Sequence, residues 1–116
     1  MDKRHKKRIL YIQELFSGFF GKKDDVSKKT RDVLAHTIEI DKNIKKAAPK
    51  YAIEKIAKVD LAILRLAVFE LVIEKKEPPK VVINEAVDLA HELGGEKSPA
   101  FVNAVLGLIY EGHTHT

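Results

Sequence analysis

Residues 78–110, PPKVVINEAVDLAHELGGEKSPAFVNAVLGLIY, decide the fold, because they contain the start and stop signals of two consecutive helices. Pro79 can occupy the first turn of a helix, where its missing N–H costs nothing. Apolar residues then recur at helical spacing, namely Val82, Ile83, Ala86, Ala90 and Leu93. This spacing predicts an amphipathic helix with one buried face.

The second helix of this stretch follows a short turn. Gly94-Gly95 is predicted to end the first helix by supplying a left-handed residue. Ser98 is predicted to be the N-cap of the next helix, with Pro99 directly after it. The apolar stripe of that helix consists of Val102, Val105, Leu106 and Ile109. Residues 78–110 therefore predict a helical hairpin.

The rest of the chain adds three helical segments and no alternating strand pattern. The first covers about residues 3–20, and the third covers about 52–75. The second covers about 26–47, ahead of Pro49, and its apolar stripe is loose: Val26, Leu34, Ile38, Ile44 and Ala48. The predicted fold class is all-α, a compact bundle of roughly five helices.

The third segment is nearly apolar between Val59 and Ile73. Its charged residues there are Asp60, Arg65 and Glu70, spaced five apart. Five residues turn a helix by about 140°, so these charges do not share one solvated face. The helix is either enclosed by other helices, which is the default, or presents apolar surface to a partner. Both can hold in a small domain.

Composition limits the classes of protein to which the chain can belong. The chain has 116 residues, of which 45% are hydrophobic and 33% charged, as in an ordinary globular domain. We find no apolar run that could span a bilayer and no secretory signal. Without cysteine, the chain has neither a disulfide scaffold nor a thiolate metal site. These features favour a cytoplasmic protein.

Positive charge is concentrated at the start of the chain. The net charge is +4 and the pI about 9.2, and five cations lie within the first eight residues: Lys3, Arg4, Lys6, Lys7 and Arg8. Arg4 and Arg8 are one helical turn apart, so both could reach the same phosphate strand. A merely solvated terminus is the alternative.

The sequence contains no pattern that indicates catalysis. A Gly-rich phosphate loop, an HExxH motif and a Ser-His-Asp arrangement are all missing. We therefore predict that the chain is not an enzyme and needs no cofactor. His113 and His115 could bind a metal ion together, but a frayed tail is the favoured interpretation, and no metal site is predicted.

Two asparagines interrupt predicted helix interiors, where asparagine is a mediocre helix former. They are Asn84 and Asn103. Each side chain either makes an interhelical hydrogen bond or offers its amide to a nucleic acid. The two interpretations are compatible.

Three blocks of the chain resemble the transcription antitermination factor NusB family, in the family's order. Arg8, Gln13, Leu15 and Phe16 match its first helix, and residues 59–71 match its central helix. The third block comprises residues 78–86 together with Ser98-Pro99 and Phe101-Val102-Asn103. The chain is shorter than typical members, because a short helix between the first two helices is missing.

This resemblance implies the fold and the function. It implies one NusB-like RNA-binding domain over residues 1–116, built from two small helical subdomains, about 3–48 and about 52–111. Family members bind the single-stranded boxA element of ribosomal RNA leader transcripts together with a small-subunit ribosomal protein, NusE. The pair helps load the antitermination complex on RNA polymerase. The alternative is a protein-interaction or auxiliary RNA-binding module related to the NusB-like domain of RNA methyltransferases. Some members form homodimers, and this possibility stays open.

The resemblance also implies site residues. In the family the first helix contacts RNA, so Arg4, Lys6 and Arg8 are predicted phosphate contacts. Phe16 could stack on a base or simply pack in the core. The turn 94–98 resembles a second RNA-facing region, in which Lys97 adds positive charge, and Asn84 and Asn103 complete the predicted set. The predicted protein-partner surface consists of Asp60, Arg65 and Glu70.

Overall fold

A computed structural model describes residues 2–21 and 25–114 of the chain, and within these ranges all regular structure is helical. Six α-helices follow one another: α1 (Lys3–Gly18), α2 (Lys28–Ala35), α3 (Thr37–Ala47), α4 (Lys58–Val68), α5 (Pro79–Leu93) and α6 (Ser98–Thr114). A single 3-10 turn, Ile53–Lys55, precedes α4, and wider π-helical turns, Phe69–Glu74, prolong it. The all-α prediction is confirmed. None of the helices in the described ranges is both long and apolar enough to cross a membrane.

Helix α4 lies at the centre of the molecule. It packs against α1, α2, α3, α5 and α6. Every residue from Asp60 to Val68 is buried except Arg65, which is half-buried. The near absence of charge in this segment therefore reflects enclosure by other helices, as the default interpretation predicted.

The predicted second helix is in fact two helices that meet at His36. The backbone of His36 leaves the helical region, with φ −109° and ψ 17°, and its Nδ1 contacts the carbonyl oxygen of Asp32 at 2.8 Å. The break changes which side chains face the core. Val33, Ile40 and Ile44 are fully buried, whereas the predicted stripe residues Leu34 and Ile38 are 49% and 80% exposed. That part of the predicted stripe is wrong.

The turn between α5 and α6 differs from the prediction in two details. Pro79 does begin α5, but Gly94 has φ −96°, and positive φ occurs in the described ranges only at Gly21 and Lys75. Ser98 Oγ accepts the N–H of Gly95 at 2.9 Å, so it closes the turn instead of capping α6. A Cβ on Gly94 would lie 2.6 Å from Ser98 Cβ. Glycine is needed here for space and not for a left-handed backbone.

Helix α2 is anchored at its start by a residue of α1. The Glu14 carboxylate accepts the Ser27 N–H at 3.0 Å and the Thr30 hydroxyl at 2.6 Å. Ser27, the N-cap residue, makes no side-chain capping bond of its own. Glu14 therefore accepts the N–H of the N-cap residue, as the Glu or Gln at the third helical position does in a capping box, where this chain has Thr30. The sequence also predicts a helix stop and a new helix start over residues 21–25, of which residues 22–24 lie outside the described ranges.

Candidate nucleic-acid interface

Arg8 lies inside the molecule, although it belongs to the basic start of the chain. Its side chain donates from Nε at 3.1 Å and from Nη2 at 2.7 Å to the two oxygens of Glu70. Nη2 also contacts Glu77, and Nη1 lies 4.0 Å from Glu85. Burial opposes the charge, but the hydrogen bond to Glu70 and the three carboxylates outweigh it, so the pKa of Arg8 is raised.

This position disagrees with two predictions. Arg8 is 8% and Glu70 3% exposed, so neither side chain is open to an external ligand. Arg8 is not a surface phosphate contact and Glu70 is not a surface partner contact in this fold. Instead the pair joins α1 to the π-helical turns that follow α4. Such turns are rare in proteins and frequently lie at positions with a specific role.

Arg4 is on the surface, and its ion pair with Glu77 is exposed to solvent. Its Nη1 lies 2.7 Å from Glu77 Oε1, and its side chain is 69% exposed. Burial would raise the pKa of Glu77, but the hydrogen bond from Arg4 and the charge of Arg8 lower it overall. An exposed ion pair of this kind contributes little to stability, so Arg4 can exchange Glu77 for a phosphate.

His5, which the sequence pattern does not single out, joins α1 to α5. Its Nδ1 contacts Glu85, and its Nε2 lies 2.7 Å from Glu92. The hydrogen bonds to Glu92 and then Glu85 raise the pKa of the imidazole. Because Glu92 is two residues before Gly94, this contact places the start of α1 beside the α5–α6 turn. The two predicted RNA-facing regions are therefore neighbours.

The lysines at the start of α1 and in the α5–α6 turn are available for contact with a ligand. Lys3, Lys6 and Lys7 of α1 and Lys97 of the α5–α6 turn are exposed. None of them forms an ion pair with another residue in the described ranges. At the start of α1 and in the α5–α6 turn, the described cations without an ion-pair partner are therefore lysines and not arginines.

Phe16 is half-buried in an aromatic cluster at the end of α1. Its ring centroid lies 5.3 Å from that of Phe20 and 6.5 Å from that of Phe19. Phe20 is 63% exposed. The cluster is therefore partly core and partly surface, and both interpretations of Phe16 stay open.

The other predicted partner residues do not form one surface either. Asp60 is 8% exposed, and its Oδ1 is buried without a hydrogen bond to any described residue. Arg65 binds Asp41 of α3 through two contacts of 3.0 and 2.8 Å. Only Arg65 retains some exposure, so the predicted surface of Asp60, Arg65 and Glu70 is not present as one patch.

The two asparagines lie on the surface. Asn84 and Asn103 are exposed, and neither amide makes a side-chain hydrogen bond within the described part of the chain. The interhelical hydrogen bond is therefore not found. Asn84 lies in the second turn of α5, about 15 Å along the axis from Gly94, so it is remote from Lys97.

Sequence reasoning missed a pair of aromatic rings one helical turn after Lys97. Tyr51 is 51% exposed, and its ring centroid lies 5.4 Å from that of Phe101, at an interplanar angle of 69°. Phe101 follows Lys97 by one helical turn, since its N–H donates to the Lys97 carbonyl at 3.2 Å. Lys50 precedes Tyr51 and is exposed. The signal available in the sequence was a lysine close to an aromatic residue in both segments. Lys50 directly precedes Tyr51, and Lys97 lies four residues before Phe101.

These features define a class of protein. The chain is an all-helical bundle that presents the exposed ring of Tyr51 and, among the described residues, lysines without an ion-pair partner; proteins that bind single-stranded nucleic acids combine such features. Residues 2–111 match the NusB family, and the chain belongs to that family.

The relatives agree with this assignment. The chain is 36% identical to the transcription antitermination protein NusB of Clostridium tetani, over 89% of this chain and 77% of that protein. Matches to other NusB proteins span a smaller part of them, for example 55% and 59% of their length. These relatives are antitermination proteins and not enzymes, which confirms the prediction that the chain is not an enzyme.

Solved structures show the same fold. T. maritima NusB superposes with a TM-score of 0.84 at 28% identity, covering 95% of this chain and 92% of that chain. A chain in the crystal structure of a plectonemic RNA supercoil gives a TM-score of 0.87 at 26% identity, covering 100% of this chain and 99% of that chain.

Proposed function

We propose that this chain is a transcription antitermination factor that binds single-stranded RNA of the boxA type. The observation that carries the proposal is the ring pair formed by the exposed Tyr51 and the half-buried Phe101, next to Lys50 and Lys97 in the sequence. Family membership supports it, as does the likeness to a chain crystallised with RNA. A ring with an open face can stack on an unpaired base, while lysines neutralise the phosphates between successive bases.

The start of α1 extends this surface. His5 contacts Glu92 near the end of α5, so the start of α1 is held toward the α5–α6 turn and Lys97, whereas Arg4 pairs with Glu77 ahead of the start of α5. The RNA backbone then follows a line of cations from α1 to the turn, and its bases reach Phe101 and Tyr51. Phe16 offers a further ring for a base or for a protein partner.

The protein partner in this proposal is the small-subunit ribosomal protein NusE. Together the two proteins would load the antitermination complex on RNA polymerase, and the site of action would be the cytoplasm. The resemblance supports NusE as the partner. Of the predicted partner surface, the half-buried Arg65 is the residue that remains reachable.

The proposal is tested by fluorescence anisotropy of a labelled boxA-type RNA at two salt concentrations, with and without NusE. Tyr51→Leu and Phe101→Leu remove a ring and should each weaken binding by roughly 5- to 100-fold, the range for loss of one stacked base. Lys97→Ala should weaken binding less and lower the salt dependence by about one counterion.

Matched controls lie on the same helices. Tyr110→Leu removes a ring that is 40% exposed near the far end of α6, and Lys80→Ala removes an exposed lysine at the start of α5. Both should bind RNA like the unmodified protein. Equal losses in the control and test variants would remove the Tyr51–Phe101 surface from the site.

The second candidate is a module that binds a protein partner without RNA. The engagement of Arg4 and Arg8 with carboxylates favours it, because these arginines offer less charge than the sequence suggests. A folded protein that binds NusE but no RNA at either salt concentration would establish this alternative. Light scattering on the same samples would determine whether a homodimer covers the surface.

A further inference from the structure

The contact of His5 with two carboxylates requires that its imidazole is protonated. Glu85 and Glu92 are seven residues apart on α5, so they lie two turns apart on one face, and the imidazole of His5 sits between them. The His5 side chain is 16% exposed. The ring therefore connects α1 to two successive turns of α5.

A neutral imidazole cannot satisfy both contacts. It carries one N–H, and its other nitrogen can only accept, whereas an ionised carboxylate also only accepts. If the ring lost its proton, one of the two glutamates would face a lone pair at contact distance. The imidazolium donates from both nitrogens and satisfies both carboxylates.

We propose that His5 is a proton-dependent clamp, which holds the basic start of α1 against α5 when protonated and releases it when deprotonated. The clamp is distinct from the buried Arg8–Glu70 pair, which holds the next turn of α1 through two hydrogen bonds. The release is therefore confined to the first turn of the helix, where Lys3, Arg4 and Lys6 lie.

The charged groups around the ring agree with this assignment. On α5 these are Glu85 and Glu92, both acceptors for the protonated ring. On α1, Arg8 lies 4.0 Å from Glu85 and competes weakly for it, since its main partners are Glu70 and Glu77. Together, the hydrogen bonds to Glu92 and Glu85 raise the pKa of His5 above its ordinary value of 6.5.

The direct test is an NMR titration of the ring nitrogens in the unmodified full chain. We expect both nitrogens of His5 to carry protons at pH 6.5 and the ring to titrate above that pH. The α5 amides around Glu85 and Glu92 should shift with the same midpoint. A His5 ring that titrates at or below 6.5, or that is a single neutral tautomer at pH 6.5, would overturn the proposal.

A second test compares unfolding of the unmodified chain with His5→Gln over pH 6 to 9. A group whose pKa is raised in the folded state stabilises the fold at pH values below its unfolded pKa. This stabilisation is lost as the pH rises through the folded pKa. The ratio of the two unfolding constants should therefore change by up to about tenfold per pH unit in that window and then level off.

The control for this comparison is His91→Gln, which removes an exposed histidine from α5, the helix that carries Glu85 and Glu92, and should not reproduce the change expected for His5→Gln. His5→Arg keeps a permanent charge and should remove the pH dependence. If His5→Gln does not fold, the NMR titration still decides. A constant ratio for His5→Gln across the whole pH range would overturn the clamp.

Discussion

At the scale of the residue, the burial of Arg8 was predictable from the sequence, but its ion-pair partners were not. Arg8, Ile12 and Leu15 are spaced as one helical face, and all three are buried. The register of α1 could therefore have distinguished Arg8 from the cations around it. The identity of its partners could not be predicted, because Glu70 and Glu77 are more than 60 positions away in the sequence.

Removing Arg8 should be costly. Arg8→Ala leaves the buried Glu70 carboxylate without its partner, and breaking a buried ion pair in this way typically costs about 3–5 kcal/mol. The measurement is the free energy of unfolding from urea denaturation at neutral pH.

The matched control is Arg4→Ala, which breaks an exposed contact one turn away and should change the free energy of unfolding little. If the two variants were equally stable, the Arg8–Glu70 contact would not be the structural link between α1 and α4 that the geometry indicates.

Gly94 is the second residue with a specific requirement. A methyl group there would meet Ser98 Cβ and Oγ at 2.6 Å and the Ala90 carbonyl oxygen at 2.9 Å. Gly94→Ala should therefore destabilise the protein by about 1–3 kcal/mol, the usual cost of overpacking. Thermal unfolding measures this, with Gly95→Ala as control, since its nearest contact is at 4.0 Å. Equal effects of the two substitutions would show that the loss of backbone freedom, and not the lack of space, causes the destabilisation by Gly94→Ala.

At the scale of the element, helices α5 and α6 were predicted best, because their boundaries depend on local signals such as Pro79 and Pro99. The break at His36 was not predictable from local pattern, since residues 28–47 carry no proline or glycine. It exists because the packing of Val33 and Ile40 against the core overrides the helical continuity that the sequence suggests.

Helix α6 can be stabilised by one substitution. Gly107 lies in its interior, and a Cβ there would meet nothing within 4 Å. Gly107→Ala should raise the free energy of unfolding by about 0.5–1 kcal/mol, because alanine restricts the unfolded chain more than glycine does. Urea denaturation gives the value, and a loss of stability would show that the surface around Gly107 is occupied.

At the scale of the whole molecule, the fold was predictable but much of the candidate site was not. The apolar segment 59–73 identified the central helix, since enclosure requires little more than the absence of charge. The Tyr51–Phe101 pair joins segments 50 residues apart, and no local pattern places those two rings together. The same holds for the carboxylates that neutralise Arg4 and Arg8.

The titrating contacts predict how the stability of the whole protein depends on pH. Glu77 has a lowered pKa in the folded state, so its contribution is present above about 4.5, its ordinary value, and is lost as pH falls. His5 acts in the opposite direction, so its contribution is complete below 6.5 and is lost as pH rises through the raised value. For these two groups, stability should be greatest between those values.

Thermal unfolding from pH 3 to pH 9 tests this dependence. Glu77→Gln should flatten the acid side of the profile and leave the alkaline side unchanged. A variant with an unchanged acid side would mean that other carboxylates set the acid limit.

The bridge from Glu14 to Ser27 and Thr30 has a consequence for the order of folding. Helix α2 has only eight residues, too few to form by itself in water, and the acceptor at its start belongs to α1. Residues 25–35 should therefore stay unstructured until α1 has formed and docked. On a ribosome α1 emerges before α2, so the Glu14 acceptor is synthesised ahead of the helix start that it anchors.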